Sequence, residues 1–152
     1  GPGMYDEDLI KFLEEYDSNL TDVDKKLNYT RVLAGLKLPG KNKHIVIDKI
    51  INKLDIKPTL TYMCNIKDGF SLGTNVFASK DFVCLNNGRI ITPEYYYDEN
   101  WYSVNSGEEV NIEILSEEEK SKLEKYYNYM QRELDISFSV NINNLLKGRE
   151  YE

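Results

Sequence analysis

The sequence predicts an α+β protein: N-terminal helices, a central, mostly antiparallel β-meander, then one helix and a final strand. Three observations lead there. Apolar residues recur at helical spacing up to Pro58, strand-like alternation broken by turn residues follows to Leu115, and Ser116 with Glu119 forms a capping box ahead of a second helical stretch. Because the strands run together and do not alternate with helices, an antiparallel arrangement is expected. A chain of 152 residues can build a real core without staples. The helical part, 4–57, and the α+β part, 58–152, are read as sharing one core. Residues 1–3, Gly-Pro-Gly ahead of Met4, read as a tag remnant and stand outside the fold.

Taken in order, Tyr5, Leu9, Phe12, Leu13 and Tyr16 mark a first amphipathic helix over 5–16, with Asp6, Glu7 and Asp8 in its dipole-favoured first turn. Thr21, with Asp24 three residues on, caps a second helix running toward Gly35. Pro39-Gly40 ends it. Ile47, Ile50, Ile51 and Leu54 predict a third helix from His44, closed at Pro58. Leu60, Tyr62, Cys64 and Ile66 then alternate with polar or smaller neighbours as a strand. Asp68-Gly69 and Gly73 signal bends, and Asn87-Gly88 predicts a hairpin between 82–85 and 89–92. Trp101–Val104 and Val110–Leu115 are further strand candidates. The helix opened by Ser116 runs to Leu134, and Ile136, Phe138, Val140 and Ile142 alternate as a last strand.

Charge is distributed unevenly. The net charge is −7, yet residues 1–57 carry ten basic and ten acidic side chains, whereas residues 90–119 carry nine acidic and no basic ones. A lysine-rich stretch, 37–57, thus precedes an acidic, aromatic one. Such a field selects partners by sign. A pI near 4.9 is opposite to the footprint of an autonomous DNA binder. No apolar run reaches the ~20 residues of a membrane span and no signal segment follows Met4, so a soluble intracellular protein, cytoplasmic or nuclear, is expected. Cys64 and Cys84, with a single His in the chain, do not match a zinc spacing and read as free thiols in strands.

Chemistry-bearing motifs are scarce. His44 has no nucleophile with a local signature beside it. Glu117, Glu118 and Glu119 fit a solvated first helical turn. Glu94, Asp98 and Glu99 lack the alternating ligand pattern of a calcium loop, and Gly69 with Gly73 does not make a phosphate cradle. No enzyme activity, metal or cofactor is expected.

The run CLNNGRIITPEYYYDENWYS, 84–103, resembles part of the SAND domain, a chromatin-associated DNA-binding module. Cys84-Leu85, Thr92-Pro93, Tyr95 and Trp101 match that family in type. The basic residues that flank its Trp do not, since Trp101 lies between Asn100 and Tyr102. The resemblance implies a strand-turn arrangement and, as one alternative, a SAND-like chromatin or DNA-binding module.

The candidate site is the segment holding Tyr95, Tyr96, Tyr97, Asp98, Glu99, Trp101 and Tyr102. A strand sends Tyr95 and Tyr97 to one side and Tyr96 to the other, so one buried face accommodates only half of them. Some of these rings are therefore expected to be half exposed beside unneutralised carboxylates. Tyr and Trp offer rigid contact area with polar tips, as binding hot spots do. The first reading is a non-enzymatic interaction module, an adaptor or inhibitor, that binds a basic protein surface through this segment. Lys41, Lys43 and His44 would add a second contact. The other alternative is an acidic nucleic-acid mimic, of viral or mobile-element origin, that blocks a nucleic-acid-binding protein.

Overall fold

The computed structural model describes residues 6–30, 35, 40, 46–67, 71–78 and 80–143. These form helices α1 (Asp6–Tyr16), α2 (Asp22–Thr30), α3 (Ile56–Met63) and α4 (Glu117–Ile142), with strands β1 (Val83–Cys84), β2 (Ile90–Ile91), β3 (Tyr95–Asp98) and β4 (Asn100–Ser103). The class is α+β, as expected. The four strands form one antiparallel meander in the order β1-β2-β3-β4.

Local chemistry accounts for the elements that match expectation. Thr21 Oγ1 accepts from the Asp24 N–H at 3.1 Å while Asp24 Oδ2 accepts from the Thr21 N–H at 3.0 Å, a reciprocal cap that opens α2. Ser116 and Glu119 do the same for α4, with bonds of 3.2 and 3.0 Å. The β1–β2 hairpin turns at Asn86-Asn87-Gly88, where Gly88 adopts φ +81° and its N–H bonds the Leu85 carbonyl at 3.0 Å. Between β2 and β3 the buried Thr92 hydroxyl accepts from the Tyr95 N–H at 2.8 Å and closes the turn around Pro93.

Five expectations are corrected. Residues 46–52 are not helical. That stretch is rich in β-branched residues, and it is pinned as a connector: the Lys49 ammonium donates to the Ala78 carbonyl and Asn52 Nδ2 donates to the Cys84 carbonyl at 3.1 Å. Asn52 and Asp55 form a capping box around the 3-10 turn Lys53–Asp55, and helix α3 follows where the alternating Leu60–Ile66 strand was expected. Pro58 falls in the first turn of α3, where a missing N–H costs no hydrogen bond, so it does not end a helix. Val110–Leu115 is likewise not a strand. A single bridge, Tyr102 with Glu109, precedes a 3-10 turn, Ile112–Ile114, whose start is capped by Asn111 Oδ1 accepting from the Glu113 N–H at 3.0 Å.

The final strand does not exist either. Residues 136–142 continue α4, a helix of 26 residues. No Gly or Pro interrupts the segment, and adding a residue to an existing helix needs only one more bond, whereas a lone strand would need a neighbour. Of the four alternating residues only Val140 is buried, and Phe138 is 67% exposed. The predicted extension of α2 toward Gly35, the start of the third helix at His44 and the Asp68-Gly69 turn lie outside the described residues.

One core joins the sheet to α4. Ile90 from β2 and Trp101 from β4 meet Leu123, Tyr126 and Met130, with Phe82, Cys84, Tyr95, Tyr97, Val110, Leu115 and Leu134 packed around them. The opposite side of the sheet faces α2. There Gly107, at φ +72°, lets the turn after β4 approach Thr21 so closely that a Cβ would stand 2.6 Å from the Thr21 Cβ. Both cysteines are free. Cys84 lies in β1 as expected, with its thiol pushed up to about 11 by burial, but Cys64 is an exposed helix C-cap and not part of a strand. None of the described helices is long and apolar enough to cross a membrane.

Leu123, 3% exposed at the centre of the core, sets the first expected outcome. Leu123→Ala lowers unfolding stability by about 2–5 kcal/mol in urea titration, whereas Phe138→Ala on the open face of α4 changes it by less than about 0.5 kcal/mol.

Candidate functional site

Hairpin β3–β4 carries the aromatic segment. Its register sets Tyr95 opposite Ser103, Tyr96 opposite Tyr102, Tyr97 opposite Trp101 and Asp98 opposite Asn100, leaving Glu99 alone at the tip. Glu99 adopts φ +65°, a left-handed conformation that a residue with a Cβ takes at a cost of about 1–2 kcal/mol.

Alternation distributes the rings as the sequence predicts, but both sides of the sheet are covered. On the α4 side, Trp101 is 6% exposed and lies between Tyr97, at a centroid distance of 5.0 Å, and Tyr95 at 6.4 Å, the latter edge-on. Tyr97 also meets Tyr127 of α4 edge-on at 5.5 Å. The Tyr95 hydroxyl donates to Glu119 Oε1 at 3.2 Å, tying β3 to the α4 capping box. On the α2 side, Tyr96 is 2% exposed. It sits beside Tyr102 at 6.4 Å, and the Lys26 ammonium stands 5.9 Å from the centroid of each ring.

The expectation that some rings would be half exposed is therefore corrected. Trp101 and Tyr96 are buried, and Tyr95, Tyr97 and Tyr102 are partly buried. Helix α4 covers one side of the sheet and α2 contributes cover on the other, so rings on both faces are sheltered.

The carboxylates are corrected in part. Asp98, 20% exposed, accepts from Lys26 Nζ at 3.1 Å and from Arg89 Nε at 3.1 Å, and the Tyr96 hydroxyl donates to it at 3.2 Å. Burial alone would raise the Asp98 carboxyl, but the hydrogen bonds and charges of Lys26 and Arg89 outweigh it and hold the group below the ordinary 3.8. Tyr96 is pushed up to about 12, by burial first and then by the Asp98 charge. Glu94 pairs with Lys122 at 2.7 Å, and Glu117 with Lys120 at 2.9 Å.

A second group of carboxylates faces outward without such partners. Among the described residues, no Lys or Arg forms an ion pair with Glu99, Glu108, Glu109, Glu113 or Glu118, and all five are exposed. Glu108 and Glu109 are held along the outer edge of β4. The Ser103 N–H donates to the Glu108 carbonyl at 2.9 Å, and the Val110 N–H to the Trp101 carbonyl at 2.8 Å. Glu113 follows on the 3-10 turn and Glu118 in the first turn of α4.

Sequence reasoning missed Lys26 and Arg89 as the counter-ions of the hairpin. Arg89 stands one residue before the acidic stretch, and the register Ile90 with Tyr97 brings it opposite Asp98, so a correct hairpin register exposes the pair. Lys26 comes from 72 residues away, and no local pattern points to it. Lys41, Lys43 and His44 lie outside the described residues.

Among the described residues, no group of three or more His, Cys, Asp or Glu is arranged to hold a metal ion. A polar recess lined by Asn52, Asp55, Gly73, Lys80, Cys84 and Glu133 has a volume of about 20 Å³, room for one water and not for a substrate. Both Asp55 carboxylate oxygens in that recess are already used by backbone N–H groups, of Asn52 and Thr74, each at 2.7 Å.

No protein-family model matches the chain, and neither does any curated protein sequence. The residues that carry the SAND resemblance fall on β1 and just after it, on the β2–β3 turn and on both arms of the hairpin. The Trp101 ring among them is turned into the core.

The Asp98 cluster sets a pH dependence. A carboxylate held below 3.8 contributes stability that is complete above that value and is lost as pH falls through its lower folded-state value. With Arg89 36% and Lys26 47% exposed, the contribution is small, about 1 kcal/mol after solvent screening. Asp98→Asn is therefore less stable than the parent at pH 7, and the difference closes below pH 3.8 in denaturant titrations run across pH. At the other extreme, ultraviolet titration finds Tyr96 ionising near 12, with stability falling from about pH 10 upward as the unfolded chain loses this proton first.

Proposed function

We propose that this chain is a non-enzymatic interaction module, an adaptor or inhibitor, that binds a basic surface of another protein through its acidic segment, 94–118. The observation that carries this reading is the division of the carboxylates. Glu94, Asp98 and Glu117 are matched by Lys122, Lys26 with Arg89, and Lys120, whereas Glu99, Glu108, Glu109, Glu113 and Glu118 point outward unmatched among the described residues. Charges matched inside the molecule hold the fold. Unmatched ones at the surface create a field for a cationic partner.

In this reading the aromatic segment has two roles. Trp101 and Tyr96 fix the hairpin, while Tyr95, Tyr97 and Tyr102 are partly covered and Tyr102 bridges to Glu109. Glu99 supports it as well, because the φ of +65° at the tip suits Gly or Asn better than Glu. Lys41, Lys43 and His44 stay in the proposal as a second contact on the strength of their place in the sequence alone. The nucleic-acid mimic uses the same edge and differs only in the partner it selects.

Reversing the edge tests the reading. Wild type binds oligolysine in calorimetry with an affinity that falls as salt rises, and the triple variant Glu108→Lys, Glu109→Lys, Glu113→Lys loses at least about tenfold. Equal binding by the two proteins, both with native circular dichroism, overturns it. Glu99→Gly keeps or gains stability while weakening the same interaction. With a captured basic partner, displacement of the chain by duplex DNA supports the mimic and persistence supports the adaptor.

A further inference from the structure

The acidic edge is not purely polar, and its apolar part narrows the chemistry of the partner. Ile112 is 46% exposed and Ile114 81% exposed. Both stand on a turn with a defined conformation: Asn111 caps its start and the Leu115 N–H closes it on the Ile112 carbonyl at 3.2 Å. The chain itself frames them with carboxylates, Glu108 and Glu109 before the turn, Glu113 within it and Glu117 and Glu118 after it. All of these lie within eleven residues, so their proximity is covalent.

Charge decides which occupant suits such a face. A second copy docked through the same face would bring its own carboxylates against these and would be repelled. An anionic lipid surface would be repelled for the same reason. A purely cationic segment would satisfy the carboxylates and leave both isoleucines in water.

We propose that the surface built from residues 108–118 takes an amphipathic, lysine- or arginine-bearing segment of another protein, with separate apolar side chains set against Ile112 and Ile114 and cations set against Glu108, Glu109, Glu113 and Glu118. This deepens the reading of the acidic edge as a protein-binding surface and rests on it. The cations govern encounter and orientation, and the apolar anchor governs how long the complex lasts.

Two synthetic peptides of equal charge test it, one of Lys and Leu patterned at helical spacing and one with every Leu replaced by Ser. In fluorescence anisotropy, wild type binds the Lys/Leu peptide at least about tenfold more tightly than the Lys/Ser peptide, the scale expected for burying aliphatic side chains. Ile112→Ser with Ile114→Ser abolishes that preference while leaving Lys/Ser binding unchanged. Ile114→Ser alone, at the more exposed position, reduces it with no change in melting temperature. A preference that survives both variants overturns the anchor. Failure of wild type to bind either peptide overturns the underlying reading of the edge instead.

Discussion

A sheet of strands only two to four residues long has too little of its own to stand in water, so everything else depends on covering it from both sides. Hairpin β3–β4 meets that demand with its two most buried rings. Trp101 enters the core against Leu123, Tyr126 and Met130 of α4, while Tyr96 closes the side toward α2. Covering the second side brings Asp98 out of water as well, since it lies two residues from Tyr96 on the same side of the strand. A carboxylate in that position must be paired. Lys26 from α2 and Arg89 from beside β2 supply the pairing, so one ion cluster stitches α2, β2 and β3 together. Among the described residues, no buried side-chain nitrogen or oxygen lacks a hydrogen-bond partner.

That arrangement sorts the acidic residues into two populations with different physics. Those near the sheet are consumed by structure: Asp98 in its cluster, Glu119 in the α4 cap and with Tyr95, Glu94 with Lys122. The carboxylates of this stretch without an ion-pair partner among the described residues stand at the hairpin tip (Glu99), along the outer edge of β4 (Glu108, Glu109), on the turn that follows (Glu113) and in the first turn of α4 (Glu118). Asp98, the carboxylate drawn in beside the sheet, is thus neutralised, while the carboxylates of this stretch that lack an ion-pair partner among the described residues are exposed. The tyrosines that draw the eye in the sequence serve largely to pack the sheet against α4 on one side and α2 on the other.

The sequence shows its fold wherever a local interaction decides the outcome. Thr21 with Asp24, Ser116 with Glu119 and Asn87-Gly88 each specify a cap or a turn within three residues, and each forms. It misleads where a pattern of period two meets a stronger constraint. Leu60, Tyr62, Cys64 and Ile66 alternate like a strand, but the Asn52–Asp55 capping box upstream starts a helix that runs through the first of them. Ile136 to Ile142 alternate too, yet they extend a helix already nucleated twenty residues earlier, where each added residue needs only one more hydrogen bond. At the site, ring alternation along β3 is visible from sequence, but the cover on its second side is not. That cover depends on α2, and on Lys26 in particular, which only tertiary structure brings to Asp98.

Rigidity links this packing to the proposed role. Tyr95, Tyr97 and Tyr102 are held by ring contacts and by bonds to α4, and the Ile112–Ile114 turn is closed at both ends. A partner meeting this surface would not have to order it first, and ordering costs about 0.5–1.5 kcal/mol for each mobile side chain fixed at an interface. In the proposed role, the ion cluster at Asp98 supports the surface through the fold. By neutralising the interior charge it ties α2, β2 and β3 together, and the outer carboxylates rise from a hydrogen-bonded backbone that a loose acidic tail of the same composition would lack.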